Sequence, residues 1–315
     1  MNREIAETPR PFSIIGLGTV VVDHHVVMDG LPEADAKAEV ITDRHQVGGP
    51  VPTALVLLRR FGMQATFLGR WADDAFGEMI ESDLRAHEVG FVRPPSHPAA
   101  RSGFAHVWVE RGTGKRSIAA YRGSHPVDPE HIEPGEIAAH HALHLDGWSG
   151  AAAIRAAAAM RERGGMVFMD LGSPKPDLGE LLRHVDFLNC PERLLHRLSG
   201  PRDIVAGARR LIEMGPKEVT VTSGENGAHY ITRDRAIHQA AFRVDAIDTN
   251  GAGDVFAGAM IFATMQGWAP ERRLRFASAA SALKCQGLGN REPLPGLREI
   301  EQFLAAAQKA GTDAD

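Results

Sequence analysis

Apolar and polar positions along the chain fall into two alternating rhythms. Short apolar runs at 12–17, 65–69, 142–146, 166–170, 185–189 and 218–222 read as buried strands. Between and after them lie longer segments with apolar residues three and four apart, which read as helices. These span 51–61, 75–87, 151–163, 178–184, a segment from Pro191, 203–214, 253–266, 270–284 and 297–307. The helix at 51–61 opens at Gly48-Gly49-Pro50 and carries Leu55, Leu58 and Phe61 at core spacing. Two further β-like runs are expected at 228–232 and 237–244. Strands alternating with helices of this length predict right-handed βαβ units and a mostly parallel sheet covered on both faces.

Two stretches break that rhythm. Residues 20–28 and 38–42 are β-rich without an intervening helix, and 103–110 and 116–121 flank the turn-rich RGTGK. They are expected to pair in space as a small β lid. The predicted organisation is therefore a discontinuous α/β domain from 12–19, 44–102 and 122–309, with a lid from 20–43 and 103–121.

Composition narrows the class. Lys and Arg total 35 against 40 Asp and Glu, a net charge of −5, which argues against a nucleic-acid footprint. The start of the chain lacks the basic-then-apolar run of a secretory signal, and no stretch is long and apolar enough for a membrane span. The two cysteines, Cys190 and Cys285, form neither a zinc motif nor a disulfide framework and fit a reducing compartment. A cytoplasmic protein acting on small molecules is expected.

Three tempting motifs fail. Gly16-x-Gly18 lacks the third glycine of a dinucleotide fingerprint, and RGTGKRS lacks the Walker spacing. His140, His141, His144 and Asp146 are close in sequence, but strand alternation separates their faces.

The chemistry concentrates at 245–259. Asn250, Gly251, Ala252 and Gly253 form a turn entering a helix, whose first amides have no intrahelical partner. Two glycines let an anion approach the backbone. Asp254 falls in the first helical turn, where the dipole favours a carboxylate. An anion cradle beside a carboxylate suits phosphoryl transfer. An ordinary helix start with an acidic first turn has the same pattern. Likewise Asn189-x-x-Glu192 reads as a capping box opening a helix.

The stretch DTNGAGD at 248–254 resembles the DTxGAGD signature of the PfkB, or ribokinase-like, carbohydrate kinases. VGGPVPTALVLLRRFG, FLGRWADDAFGEMI, Asn189-Cys190-Pro191-Glu192 and VTSGENGAHY resemble further segments of that family in the right order, so the resemblance runs from about 12 to about 305. GLPEADAKAEV and RFASAASALKCQGLG are most similar to its ketose-kinase side.

The resemblance implies a ribokinase-like α/β fold with a β lid, ATP as phosphoryl donor and Mg²⁺. It implies Asp254 as catalytic base and Asn250 to Gly253 as anion hole. Asp23 and the backbone of Gly48 and Gly49 would meet the sugar, with Lys37 and Asp146 as further pocket residues. Asn189 and Glu192 would lie near the phosphates, Glu192 acting on Mg²⁺ through water. Ser223, Gly224 and Gly227 would lie on the nucleotide side. Asp248 falls where some members bind a monovalent cation, which makes K⁺ an option. Thr53 stands where ribokinases carry asparagine, which argues against ribose. The partners implied are a small sugar and ATP, and a homodimer through the lid. A nucleoside kinase of the same fold, or a sugar or nucleotide sensor without catalysis, are the alternatives.

Overall fold

The computed structural model describes residues 12–96, 100–113, 115–123, 125–200, 203–309 and 311. The signal-peptide reading of the first residues lies outside them. The strands are β1 (Ser13–Leu17), β2 (Val21–Met28), β3 (Thr42–Gly48), β4 (Gln64–Leu68), β5 (Gly90–Val92), β6 (Gly103–Glu110), β7 (Arg116–Tyr121), β8 (Ala142–Leu145), β9 (Met166–Asp170), β10 (Phe187–Pro191), β11 (Glu218–Thr222), β12 (Ala228–Ile231) and β13 (Ala236–Gln239). The helices are α1 (Pro50–Arg60), α2 (Ala75–Ala86), α3 (Pro134–Ala138), α4 (Gly150–Glu162), α5 (Leu178–Leu182), α6 (Glu192–Ser199), α7 (Ile204–Glu213), α8 (Ala252–Met265), α9 (Pro270–Cys285) and α10 (Leu297–Lys309).

Nine strands form one sheet in the order β13-β12-β11-β10-β9-β8-β1-β4-β5. Its pairings are parallel except β11 with β12 and β12 with β13. Strand alternation sends side chains to two cores. Ile14 and Phe67 join α1, α8 and α9 on one face, while Ile15, Leu17 and Leu68 join α4 to α7 on the other. Helix α8 is apolar on nearly all sides because it is enclosed by the sheet, α1 and α9. Phe61, Phe262 and Phe276 lock those helices together, with ring centroids 5.0 to 5.9 Å apart.

The second sheet has the order β3-β2-β6-β7. The two chain segments expected to form a lid do meet, through parallel pairing of β2 with β6. One strand is displaced from its expected place. β3 occupies 42–48 and not 38–42, because its register with β2 runs from Val27 opposite Thr42 to Val21 opposite Gly48. The apolar pair Val40 and Ile41 that suggested the earlier strand is exposed. The expected boundary at 43 therefore cuts through β3, and residues 44–48 belong to the small sheet.

Other departures are small. The three-residue edge strand β5 is too short to show a pattern, and the expected strand to 244 stops at Gln239. Asn189 lies inside β10, and Pro191 occupies the N-cap of α6 without a side-chain cap bond. The capping-box reading of Asn189 and Glu192 is thus incorrect. No helix among the described residues is long and apolar enough to cross a membrane.

Candidate active site

From β1 the chain builds the sheet one way through β4 and β5, and later the other way from β8 to β11. The crevice at such a reversal, beyond the carboxyl ends of the strands, is where open α/β sheets bind ligands. Asp146 follows β8 and bridges it: Thr19 donates its amide to Oδ2 at 2.7 Å and Trp148 to Oδ1 at 2.8 Å. The glycine at 18 is required here, since a Cβ would sit 2.9 Å from that carboxylate.

Asp170 ends β9 beside this crevice and belongs to a polar row across three strands. Thr220 Oγ1 donates to Asn189 Oδ1 at 2.8 Å, and Asn189 Nδ2 donates to Asp170 Oδ1 at 2.7 Å. Asn189 is thus committed within the sheet, between Thr220 and Asp170. Burial, then the charge of Asp254, pushes the Asp170 carboxyl up to about 8. Lys175 lies close enough to feel both Asp146 and Asp170, and burial lowers its pKa.

The turn before α8 has the expected form. Gly251 is the N-cap at φ +75°, and a Cβ there would come 2.6 Å from Asn290 Oδ1. Two expected members of the anion hole differ, and one of them is Ala252, whose amide donates to the Thr249 carbonyl at 3.3 Å. The Asn250 amide already donates to Asp248 Oδ1 at 2.8 Å. The amides of Gly253 and Asp254 have no carbonyl to bond within α8. Gly253 is exposed, and the direction its Cβ would take is open. Asp254 is half-buried in the first turn. Burial raises its carboxyl to about 6; the Arg116 guanidinium opposes that rise and Asp23 adds to it.

The small sheet closes over this turn through polar contacts. Arg116 of β7 donates to Thr249 Oγ1 at 2.6 Å. Asp23 of β2, buried, accepts from Asn290 Nδ2 at 3.0 Å. Gln46 of β3 accepts the Asn290 amide at 3.0 Å and lies 2.6 Å from His25 Nε2. Gly48 and Gly49 have local reasons for lacking side chains: one would strike the Asp23 carboxylate and the other the Thr19 carbonyl.

The remaining predicted residues divide. Glu192 opens α6, and the Ser223 hydroxyl and His196 hold its carboxyl below the usual range. Ser223 and Gly227 close the turn between β11 and β12 by a 2.8 Å bond from the Ser223 amide to the Gly227 carbonyl, with Gly224 exposed at its tip. Thr53 is fully buried in α1, where its hydroxyl accepts from Arg291 at 3.2 Å. Lys37 is exposed between β2 and β3. Asp170, Lys175, Arg116, His25, Gln46 and Asn290 were not anticipated. Of these only Asp170 had a local signal, a strand ending in Asp as at 142–146.

An α/β sheet, a covering small sheet and a glycine turn bearing a carboxylate form an arrangement suited to a phosphotransferase acting on an alcohol group. A family model of the pfkB family carbohydrate kinases matches residues 13–297, and the chain belongs to that family. It is 26% identical over 301 residues to a deoxyribokinase of Salmonella typhi, covering 92% of this chain and 97% of the relative. It is 28% identical over 295 residues to an ATP-dependent ribose-1-phosphate kinase of Halopiger xanaduensis, covering 93% and 98%. The ribokinase of Arabidopsis thaliana, solved with ribose and ATP, superposes with a TM-score of 0.77 at 24% identity, covering 93% and 99%. That likeness speaks for the ribokinase-like fold.

Proposed function

We propose that the protein is an ATP-dependent sugar kinase in which Asp254 takes the proton from a sugar hydroxyl. The freed oxygen attacks the γ-phosphorus, and ADP leaves. The amides at the start of α8, chiefly Gly253 and Asp254, hold the charge on the transferred group. The observation that carries this reading is Asp254 in the first turn of α8, beside the open face at Gly253. Its raised pKa places the base near working pH, where general bases are most efficient.

Asp23 and Asp146 accept sugar hydroxyls, and Asn189 acts through Asp170. Asp170 and Asp254 raise the demand for positive charge, which fits a hard cation with carboxylate and water ligands. Glu192, through water, and Asp170 would hold Mg²⁺, which supplies charge neutralisation at the phosphates. Ser223, Gly224 and Gly227 border the nucleotide. Thr53 is fully buried in α1 with its hydroxyl turned to Arg291, so this position reads no sugar hydroxyl.

A coupled ADP-release screen over pentoses, ketoses, sugar phosphates and nucleosides tests the reading. ATP turnover without acceptor is expected to be slow, and a cognate sugar to raise it by at least about tenfold as the small sheet excludes water. Equal release with and without every acceptor would count against it. Release with nucleosides alone would favour the nucleoside-kinase alternative, and binding without release the sensor. The screen also separates a ketose from the pentoses suggested by the relatives' names.

The same reading includes a homodimer through the small sheet. Strand β7 is an edge strand exposed along its whole length, with Ile118 half exposed, and such edges call for a covering partner. Sedimentation equilibrium is expected to give a dimer, and Ile118→Asp a shift toward monomer. A wild-type monomer at every concentration would refute it.

A further inference from the structure

Asp248 lies fully buried under the turn that leads into α8, and its polar atoms are all engaged. Oδ1 accepts the Asn250 amide at 2.8 Å and Oδ2 the Gly289 amide at 2.9 Å. Its own amide and that of Ile247 donate to the Cys285 carbonyl at 3.2 and 2.8 Å. The ammonium of Lys284 completes the set. Nζ donates to the Asp248 carbonyl at 2.8 Å and stands 3.6 Å from Oδ2. Lys284 is itself fully buried, in the last turn of α9, where the helix dipole also favours a cation.

A carboxylate and a carbonyl oxygen converging on one buried positive charge form the donor set of a monovalent cation. Here that charge is covalently attached to the chain. The residues therefore do not fit the K⁺ expected at Asp248, because an ammonium already meets its carbonyl and faces its carboxylate. We propose that Lys284 is a positioning residue that serves as a built-in monovalent cation, fixing the 248–253 turn and making phosphoryl transfer independent of added K⁺. The proposal rests on the reading of that turn as the anion cradle. An ammonium covalently attached to a helix residue cannot dissociate, so the turn keeps its shape at any salt composition. Removing it would leave Asp248 as a buried charge without its counter-ion and free the 248–249 backbone to move.

The test compares K⁺, ammonium and the oversized tetramethylammonium at constant ionic strength. Two readouts are used: phosphoryl transfer to the acceptor found in the screen, and thallium(I) binding followed by ²⁰⁵Tl NMR. The wild-type protein is expected to change rate by less than about twofold between K⁺ and tetramethylammonium and to show no bound thallium. Lys284→Ala is expected to lose at least about tenfold in tetramethylammonium, to recover most of that loss in K⁺ or ammonium, and to bind thallium. Wild-type stimulation of fivefold or more by K⁺, or thallium bound by the wild type, would overturn the proposal. So would a Lys284→Ala protein as fast as wild type in tetramethylammonium. If the alanine variant does not fold, the wild-type arm still decides, and Lys284→Met provides a second variant that fills the space without the charge. Absence of phosphoryl transfer under every cation would instead refute the kinase reading, while the thallium measurement would still report on Lys284.

Discussion

Asp254→Asn is expected to lower kcat by at least about 100-fold, with the fold and ATP binding retained. Asparagine matches aspartate in size, keeps a polar group in the first turn of α8, and disturbs no hydrogen bond that the turn at 248–253 depends on. What is lost is the acceptor for the hydroxyl proton. Positioned general bases contribute about 10²–10⁴-fold, which sets the size of the loss. The pH profile gives a second, independent mark. The Asp254 carboxyl is raised from 3.8 to about 6, so it is ionised and able to take a proton above that value. As pH falls through about 6 it becomes protonated, and kcat/KM should fall about tenfold per pH unit. Asp254→Asn should lack this acid limb. Single-turnover phosphorylation and calorimetric ATP binding on the same sample provide the check. A variant that binds ATP normally and turns over within threefold of wild type would remove Asp254 from the role of base.

What the sequence displayed and what it concealed divide along physical lines. The βα rhythm was legible because each element announces itself within its own window: Ile14 and Ile15 must face opposite cores, and Val255, Phe256 and Met260 must be enclosed. The turn at 250–254 was legible for the same reason, as two glycines and a carboxylate at a helix start form a local pattern. β3 was not, because it is half exposed and reads Thr-Asp-Arg-His-Gln, with no apolar alternation to locate it. The partners of the site were hidden more deeply. Lys284 meets Asp248 across 36 residues of chain, Asn290 meets Asp23 across 267, and Arg116 meets Thr249 across 133. In sequence each is an ordinary polar residue of a helix, loop or strand. Its meaning comes only from the charge that the fold sets opposite it. Asn189 shows the converse error: its spacing to Glu192 matched a local motif, while the fold turns its amide sideways along the sheet to Asp170.

Gly253→Ala separates the two demands that act on the start of α8. Gly253 does not occupy the left-handed region, and a Cβ built there meets no atom within 4 Å. The fold therefore has no need of glycine at this position. Alanine is the better helix former, so the variant should be unchanged in stability or up to about 1 kcal/mol more stable, read by urea unfolding. Under the proposed mechanism, the open space that makes the substitution harmless to the fold is the space the transferred phosphoryl group would occupy against the first-turn amides. A methyl group there pushes the anion away from its donors. Loss of a single such donor, or displacement of the reacting group by about 1 Å, lowers the rate by roughly 100-fold or more. The expected result is a protein at least as stable as wild type, with an unperturbed Asp254 and an intact acid limb near pH 6, whose kcat is reduced by at least about 100-fold. Gly251→Ala is the contrasting control. At φ +75°, with Asn290 Oδ1 2.6 Å from the new carbon, it should lose stability as well as activity. Gly253→Ala with wild-type kcat would mean that the amides at the head of α8 bind nothing during the reaction. The glycine would then have to be explained without an anion.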